Sequence, residues 1–250
     1  MSEFDVVVVG AGNAACCAAL AAAEHGARVL VLERASQPES GGNSRFTAGA
    51  IRFAYDGVDD LVALMPDLTE SEIAATDFGS YTEAQFYDDM GRVTDYRTDP
   101  ELASYLVSES KSTVLWMQQN GVRFAPIWGR QAFKVDGKFK FWGGLTVEAW
   151  GGGEGLVDAL HGSLADKGIE IRFGVAAKSL IFDGSTVRGI VGRQDGEAVE
   201  ISASSVILAA GGFQANTEWR TRYLGPGWDL SKVRGTRFNT GDGIKMALDI

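Results

Sequence analysis

The chain has 250 residues, of which 45% are hydrophobic, and it carries a formal net charge of −10 at pH 7. Such a composition is typical of a globular protein that can bury a sizeable core or divide into two modest domains. The acidic balance argues against nucleic acid and anionic membrane surfaces as partners, but it does not exclude a small anionic substrate in a local basic pocket.

The first predicted elements are a strand, a glycine turn and a helix. Residues 6–9 are four consecutive valines, which is typical of a buried parallel strand. In the turn that follows, Gly10 permits a sharp change of direction, Gly12 lets the backbone approach a pyrophosphate, and Ala15 is small enough for the helix to pack on the strand. The helix predicted over residues 13–25 directs its N-terminal N–H groups and its dipole at the phosphates.

The second strand is predicted over residues 28–32 and ends at Glu33. A carboxylate at this place accepts hydrogen bonds from a ribose diol and repels a 2′-phosphate, which disfavours NADP. Because the buried strand, the glycine turn, the small-residue helix and the acidic strand end occur together, they predict a dinucleotide-binding βαβ unit. The pattern alone leaves NAD and FAD open.

A loop rich in glycine, serine and asparagine is predicted over residues 34–55. It is longer than the roughly 2–6 residues that usually join a strand and a helix. The glycines of its segment 41–49 would let backbone wrap a ligand, and Asn43, Ser44 and Thr47 offer hydrogen bonds to phosphate or ring heteroatoms. The alternative interpretation is a flexible surface loop.

Residues 56–125 show helical spacing, and residues 126–150 are aromatic and predicted to be loop-like. Asp99 followed by Pro100 indicates a helix start. An apolar helix face is predicted from five residues, namely Leu102, Tyr105, Leu106, Val114 and Leu115. The aromatic residues of the second segment are expected to serve packing rather than ligand binding.

The second half of the chain predicts a return to the nucleotide-binding sheet. A glycine-rich run at residues 151–155 opens a helix that ends near Lys167, and Asp-Gly turns separate short antiparallel strands. These strands are predicted over residues 170–173, 177–182, 187–193 and 198–201, and a separate buried strand follows over residues 205–209. The last predicted helix reaches Ile250 without a cap or a polar tail, so we expect an N-terminal piece of a longer protein.

The cysteines, the histidines and the length of the apolar runs further limit which kinds of protein this chain can be. Cys16 and Cys17 are adjacent on one predicted helix, which makes them poor disulfide partners and favours a buried or half-buried packing role. His25 and His161 are expected at the surface, and no metal site is predicted. Neither a secretory signal nor a run of about 18 apolar residues is visible, so the sequence predicts a cytoplasmic protein without a membrane span.

These motifs together resemble the flavoproteins of the fumarate reductase/succinate dehydrogenase type, over essentially the whole chain. The motifs that carry the resemblance lie at residues 10–15, 33–34, 41–44, 207–213 and 240–243. Within this group, residues 116–124, 151–156 and 233–239 look most like FAD-dependent tricarballylate dehydrogenase.

The resemblance implies an α/β protein with a Rossmann-like two-dinucleotide-binding flavoprotein fold, in which a parallel sheet carries a β-meander and a helical insertion. It implies an FAD-binding domain over residues 1–55 and 145–250, a mainly helical insertion over residues 56–144, and a substrate-capping domain that is largely absent. It also implies FAD rather than NAD. Some relatives attach flavin covalently to a histidine in the segment that matches residues 42–47. This chain has no histidine there, so non-covalent FAD is expected.

The resemblance further implies which residues contact FAD. The glycine turn would hold the pyrophosphate, Glu33 the adenosine ribose and the backbone near Val175 the adenine, while residues 41–49 would run to the flavin edge and Asp242 would lie near the flavin. The expected cofactor-binding residues are Gly10, Ala11, Gly12, Asn13, Ala14, Ala15, Glu33, Arg34, Gly41, Gly42, Asn43, Ser44, Thr47, Gly49, Val175, Ala176, Ala210, Gly211 and Asp242.

For the whole protein, the resemblance implies dehydrogenation of a CH–CH bond beside a carboxylate, with hydride transfer to flavin N5 and proton loss to a base. The implied substrate is a small polycarboxylate, tricarballylate giving cis-aconitate, and the electron acceptor would be a membrane or iron–sulfur partner protein. The catalytic base and the carboxylate-binding arginines are expected beyond residue 250, so this chain alone should be inactive. Arg45, Arg52 and Arg237 could approach the flavin edge, but solvated or structural roles are favoured.

Several alternatives stay open at this stage. The whole enzyme could resemble a fumarate reductase or a 3-ketosteroid dehydrogenase instead, or the chain could be a truncated product that binds FAD without turnover. An NAD-linked dehydrogenase is disfavoured by the long loop at residues 41–49 and by the predicted meander.

Overall fold

The computed structural model describes residues 3–144 and 146–250. The strands are β1 (Phe4–Val9), β2 (Val29–Glu33), β3 (Ala50–Ile51), β4 (Phe124–Pro126), β5 (Ala132–Val135), β6 (Lys138–Phe141), β7 (Val147–Ala149), β8 (Glu170–Phe173), β9 (Ala176–Phe182), β10 (Val187–Gln194) and β11 (Glu197–Leu208). The helices are α1 (Asn13–Glu24), α2 (Val58–Leu64), α3 (Glu70–Ala74), α4 (Glu83–Thr94), α5 (Pro100–Ser108), α6 (Ser110–Gln119), α7 (Trp128–Gln131), α8 (Gly152–Asp166), α9 (Thr217–Leu224) and α10 (Asp242–Leu248).

The chain divides into two compact units. Unit 1 comprises the residues up to Thr47 together with Leu156–Ile250, and unit 2 comprises Ala48–Gly155. The helical insertion predicted over residues 56–144 falls inside unit 2, but β3 and β7, which the sequence analysis gave to the FAD-binding part, also belong to unit 2. The assignment of FAD binding to residues 1–55 and 145–250 stays a prediction.

Unit 1 is organised around a six-stranded sheet of order β8-β2-β1-β11-β10-β9. Strand β1 lies parallel to β2 and to β11, β2 lies parallel to β8, and β10 pairs antiparallel with β11 and β9. The buried core of the sheet includes Val7, Leu30, Leu32 and Ile190. This architecture confirms the predicted α/β class, with a parallel sheet and a β-meander.

The long strand β11 differs from the prediction of two separate strands over residues 198–201 and 205–209. Its first part pairs antiparallel with β10, with Ile201 opposite Ile190, and its second part pairs parallel with β1, with Leu208 opposite Val9. The intervening residues 202–204 are Ser-Ala-Ser, and they contain neither glycine nor proline that would interrupt a strand. One continuous strand therefore joins the meander to the parallel sheet.

The cysteines of α1 occupy the packing positions that the sequence predicts. Cys16 is buried and Cys17 is half-buried, and neither forms a disulfide. Burial raises the pKa of both thiols, that of Cys17 to about 11. Both side chains are therefore protonated thiols at neutral pH.

Unit 2 contains helices α2 to α7 and two small sheets, β3-β7-β4 and β5-β6. The prediction that residues 126–150 are loop-like was wrong. Strands β5 and β6 form a hairpin whose turn places Asp136 and Gly137 at positive φ, and β7 is the central strand of the three-stranded sheet. An Asp-Gly pair is among the strongest short-range hairpin signals, so residues 136–137 were the available sequence signal for this hairpin.

The apolar face predicted for α5 was also wrong in part. Leu102 and Tyr105 are each 72% exposed, whereas Ala103 and Val107 are the buried residues of that helix. Residues four apart share one helix face, so α5 directs a small alanine and a valine inward, and the larger side chains face outward. Within the described residues, no helix combines the length and apolarity needed to cross a membrane.

Candidate functional site

A cavity of about 300 Å³ lies in unit 1 at the carboxyl ends of three neighbouring strands. Its wall includes Gly10 after β1, Glu33 at the end of β2 and Ala210 after β11. In parallel α/β sheets, ligands bind in the crevice outside the carboxyl ends of the strands. The topology therefore places this cavity where a nucleotide is expected.

The glycine turn forms one side of the cavity and depends on the absence of side chains. Gly10 has φ of +110°, and a Cβ atom on it would lie 2.4 Å from the carbonyl oxygen of Ala209. A Cβ atom on Gly12 would lie 3.2 Å from the carbonyl oxygen of Gly41. Helix α1 begins directly after Gly12, so its first N–H groups and its dipole point to the same region.

Glu33 connects the glycine turn to the end of β2. The residue is only 6% exposed; its Oε2 accepts the Ala11 N–H at 3.0 Å, and its Oε1 accepts the Ala35 N–H at 2.8 Å. A carboxylate offers about four acceptor positions, so each oxygen keeps one for a ribose hydroxyl. The predicted ribose contact is thus compatible with a second, structural role that the sequence did not indicate.

The loop that begins at Gly41 is ordered by contacts on both flanks. Gly41 has φ of +97°, and a Cβ atom on it would lie 2.7 Å from Cγ1 of Val157 on α8. Ser44 Oγ accepts the Asn13 N–H at 3.0 Å, and Asn43 Oδ1 accepts the Thr236 N–H at 3.0 Å. These contacts disfavour the alternative of a flexible surface loop.

A small ion network lies in the wall formed by Arg34 and Asp242. Arg34 Nη1 donates to Asp242 Oδ2 at 2.8 Å and to Thr240 Oγ1 at 2.8 Å, and Lys178 Nζ lies 3.6 Å from Asp242 Oδ1. Burial pushes the pKa of Asp242 upward, but the Thr240 hydroxyl and the two cations outweigh it and hold the pKa below its usual value. Asp242 is therefore ionised at neutral pH and joins the start of α10 to the end of β2.

The structure brings most of the predicted cofactor-binding residues into one wall. Those that line the cavity are Gly10, Ala11, Gly12, Asn13, Ala14, Glu33, Arg34, Gly41, Gly42, Asn43, Ser44, Val175, Ala210, Gly211 and Asp242. These residues come from segments far apart in the sequence, and the sheet topology collects them.

Four predicted residues do not line this cavity. Ala15 is fully buried in α1, and the Thr47 hydroxyl donates to the Ser44 carbonyl at 2.8 Å. Gly49 belongs to unit 2, where a Cβ atom on it would lie 2.7 Å from the backbone of Gly152. Ala176 begins β9 between two residues that do line the cavity. Their positions support packing or spacing roles rather than direct contact with a ligand in this cavity.

Several residues of the wall were not predicted from the sequence, including Gln214, Thr236 and Asn239. Asn239 lies close to Gly211, since a Cβ atom on that glycine would be 2.7 Å from Asn239 Nδ2. Two of these residues lie in segment 233–239, which carried part of the family resemblance but received no role. Gln214 and Asn239 directly adjoin the motifs at residues 207–213 and 240–243, and this adjacency was the available sequence signal.

The prediction of a surface position for His161 was wrong. The residue is half-buried on α8, and its Nε2 lies 2.9 Å from the carbonyl oxygen of Ala11 in the glycine turn. Val157, which contacts Gly41, precedes His161 by one helical turn, so both side chains lie on the same face of α8. This spacing was the available sequence signal for a helix face directed at both glycine segments.

Two of the three arginines considered for the flavin edge have other partners in unit 1. Arg45 donates from Nε to the Ser40 carbonyl at 2.7 Å and pairs with Asp158 at 2.8 Å. Arg237 is largely exposed and pairs with Glu39. The structural or solvated roles favoured from sequence agree with these contacts.

The residues of the cavity wall are chemically suited to a dinucleotide. The glycine turn leaves room for a phosphate at the start of α1, and helix starts favour anions. Glu33 supplies acceptors for a ribose, and the aliphatic side chains of Val9, Val175 and Ala177 supply an apolar surface. The arrangement can therefore bind a nucleotide, but its residues show no nucleophile–base pair for covalent catalysis within the described chain.

Comparison with known proteins gives one family match and several relatives. Residues 5–250 match the family described as FAD binding domain. The chain is 30% identical to fumarate reductase (cytochrome) of Shewanella frigidimarina, over 97% of this chain and 39% of that protein. It is also 30% identical to vinyl phenol reductase of Lactiplantibacillus plantarum, over 98% of this chain and 45% of that protein.

Solved structures give the same picture of the fold. The open conformation of a flavocytochrome c3 fumarate reductase has a TM-score of 0.76 at 26% identity, covering 98% of this chain and 40% of that one. The chain thus spans less than half the length of each of these three proteins.

Proposed function

Because the chain belongs to the FAD-binding domain family, among flavoproteins of the fumarate reductase/succinate dehydrogenase type, we propose that it is the FAD-binding part of an oxidoreductase acting on a CH–CH bond. The observation that carries this proposal is the cavity at the ends of β1 and β2, where glycine backbone and the buried carboxylate of Glu33 meet. FAD, when bound, supplies a flavin ring that can exchange a hydride with a substrate carbon.

In this proposal, different residues of unit 1 bind different parts of the cofactor. The N–H groups of Ala11 and Asn13 already donate to Glu33 and Ser44, so the pyrophosphate would be held by other N–H groups at the start of α1. Glu33 would accept hydrogen bonds from the adenosine ribose, and Val175 would contact the adenine. Asp242 and the residues near it would lie farther along the cofactor.

The comparisons do not identify the substrate, so the substrate is part of this proposal. A small polycarboxylate, with tricarballylate as its first representative, is supported by the resemblance of segments 151–156 and 233–239. A fumarate reductase and a vinyl phenol reductase are each 30% identical to this chain. Sequence identity alone therefore does not distinguish a charged from an uncharged substrate. A fumarate-reductase-like or 3-ketosteroid-dehydrogenase-like activity is the alternative.

The first experiment is acid extraction of the purified full-length protein, followed by identification of the released nucleotide. We expect FAD in the supernatant, about one per chain, because no covalent attachment is predicted. NAD, or no nucleotide on a folded protein, would overturn the proposal, and flavin retained in the precipitate would overturn only its non-covalent part.

A second experiment separates the substrate alternatives. The holoprotein is assayed with a dye acceptor on tricarballylate, succinate and a 3-ketosteroid, and with a reduced dye on fumarate. Turnover of tricarballylate supports the proposed substrate, and turnover of another compound replaces it. Bound FAD without turnover of any of them favours the non-catalytic alternative.

A further inference from the structure

His161 on α8 is half-buried and lies outside every segment that carries the family resemblance. Its Nε2 lies 2.9 Å from the carbonyl oxygen of Ala11 in the glycine turn. Because a carbonyl oxygen can only accept, the hydrogen of this bond is on Nε2 and the imidazole is the donor. The histidine therefore supplies one N–H group to the backbone of the turn.

Ala11 is held at both of its peptide groups. Its N–H donates to Glu33 Oε2 at 3.0 Å, and its carbonyl oxygen accepts from His161 Nε2 and, at 3.5 Å, from the Cys16 thiol. A thiol is a weak donor, so His161 makes the stronger bond to this oxygen. Side chains from separate elements thus fix the two peptide planes that meet at Ala11.

The second of these peptide planes also contains the N–H of Gly12. In a trans peptide the C=O and the N–H point in opposite directions, so the Gly12 N–H points away from His161. Gly12 lines the cavity, and within residues 3–144 and 146–250 its N–H has no hydrogen-bond partner. The plane that His161 fixes therefore carries a backbone donor that is available to a ligand.

Helix α8 also contacts the second glycine segment of the cavity wall. Val157, one turn before His161, is the residue whose Cγ1 would lie 2.7 Å from a Cβ atom on Gly41. Asp158 pairs with Arg45 at 2.8 Å. The helix is thus fixed against the loop that begins at Gly41, and from this position it donates to the first glycine turn through His161.

We propose that His161 is a positioning residue for the cofactor, which holds the Ala11–Gly12 peptide so that the Gly12 N–H donates to the pyrophosphate of FAD. This inference rests on the proposed function and adds to it a residue from outside the dinucleotide-binding motif. His161 itself does not touch the cofactor and acts through the peptide. The competing interpretation is a histidine that only stabilises the packing of α8 on the turn.

The test uses the full-length protein with three changes at His161 and one control. His161→Leu removes the donor, His161→Asn has an amide too short to reach the place of Nε2, and His161→Gln has an amide nitrogen about as far from the backbone as Nε2. His25→Leu is the matched control, because His25 is exposed and lies outside the cavity.

Binding and stability are measured separately. After mild removal of the flavin, each protein is titrated with FAD and with ADP, which keeps the adenosine and the pyrophosphate but lacks the flavin. The melting temperature of each protein is recorded without nucleotide. Titrations are made well below that temperature, so that unfolding does not contribute to the measured affinity.

We expect His161→Leu and His161→Asn to weaken FAD binding about tenfold, the lower part of the roughly 10- to 100-fold that a hydrogen bond to a charged group contributes, because the Gly12 N–H is still present but no longer held. ADP should weaken by the same factor, since it shares the pyrophosphate. His161→Gln should stay within about threefold of the wild type as its amide replaces the donor, and His25→Leu within about twofold, as is usual for a surface change.

A purely structural histidine would give a different pattern. His161→Leu would melt at a lower temperature but bind FAD and ADP as the wild type does, which would overturn the inference and leave the proposed function standing. Weaker binding of FAD with unchanged binding of ADP, or no recovery in His161→Gln, would also overturn it. A wild type that does not bind FAD would overturn the proposed function itself. If His161→Leu does not fold, His161→Asn and His161→Gln decide.

Discussion

The cavity of unit 1 and the cluster of Arg52, Tyr81 and Asp89 in unit 2 are built from different parts of the polypeptide. In unit 1 the wall is largely backbone, and the positions of Gly10 and Gly41 leave no space for a Cβ atom. In unit 2, Arg52 donates from Nη1 to Asp89 Oδ2 at 2.9 Å and to the Tyr81 hydroxyl at 3.1 Å, so the cluster consists of side chains from a strand end, a loop and a helix. A backbone site needs glycines at neighbouring positions, so it leaves a motif; a side-chain cluster assembled from distant positions leaves none.

The sharpest test of the backbone site is Gly10→Ala. The new Cβ atom would lie 2.4 Å from a carbonyl oxygen at a residue with φ of +110°, so strain and overlap act together. We expect a loss of about 2–5 kcal/mol in the free energy of unfolding and loss of FAD. Urea denaturation and flavin absorbance measure the two effects.

Gly26→Ala is the matched control for this change. Gly26 also has positive φ, +81°, but no atom lies within 4 Å of a Cβ built there. Only the conformational cost of about 1 kcal/mol is expected, with FAD retained. Equal losses in the two variants would show that close approach at Gly10 contributes nothing.

Glu33→Gln tests a buried side chain that supports the backbone site. The amide keeps a single acceptor oxygen, so its NH₂ group would face one of the two N–H donors, Ala11 or Ala35. A buried unsatisfied donor costs about 1–3 kcal/mol, and we expect FAD affinity to fall at least tenfold. Glu24→Gln, at a partly exposed pair with Lys167 away from the cavity, should change stability by less than about 0.5 kcal/mol. Similar FAD affinities in both variants would contradict the role given to Glu33.

Asp242→Asn tests the ion network of unit 1 through its pH dependence. The folded pKa of Asp242 is lowered, so its contribution to stability is present above its ordinary value of 3.8 and is lost as pH falls through the folded pKa. At pH 7 we expect the melting temperature to fall by about 2–4 °C, as for a loss on the order of 1 kcal/mol. The difference from the wild type should shrink below pH 3.8. A difference that does not vary with pH would mean that the charge of Asp242 is not the cause.

Glu148→Gln, on β7 of unit 2, should act in the opposite direction. Burial raises the pKa of Glu148 above its ordinary value of 4.5, with a smaller opposing effect of Arg130, so the ionised carboxylate destabilises the folded state. This penalty develops as pH rises through 4.5 and is absent at lower pH. We expect a gain of about 1–3 °C in melting temperature at pH 7 and none at pH 4. A loss at pH 7 would show that Glu148 has a stabilising partner.

Most of the unit 1 site could be predicted from sequence, because its requirements act at single positions. Gly10 and Gly41 need positive φ and close approach, and Glu33 follows a run of buried strand residues. The parallel order of β2, β1 and β11 then brings these segments to one edge of the sheet. The continuity of β11 was missed because the prediction relied on turn signals, and a strand that changes partners has no turn between its halves.

The side-chain contacts could not be predicted in the same way. Nothing near Arg52 in the sequence indicates that Asp89 will approach it, since the pairing depends on how α4 packs in unit 2. Helix α5 gives a second example. Leu102 and Tyr105 were predicted to be buried because they are hydrophobic, but the rotation of α5 about its axis places Ala103 and Val107 on the buried face instead. His161 reaches the Ala11 carbonyl through the packing of α8, which lies about 150 positions later in the chain.

The pairing of β1 with β11 has a consequence for how this protein is made. Phe4 lies opposite Ala203 and Val9 opposite Leu208, so one edge of the first strand finds its partner only after residues 203–208 have been made. At about 5–20 residues per second of translation, that edge waits roughly 10–40 s on the ribosome. During this interval the four-valine strand exposes unpaired backbone, which is a template for wrong association. Substitutions in the second half of β11 should therefore reduce the yield of native protein in cells more than they reduce the stability of molecules that have already folded.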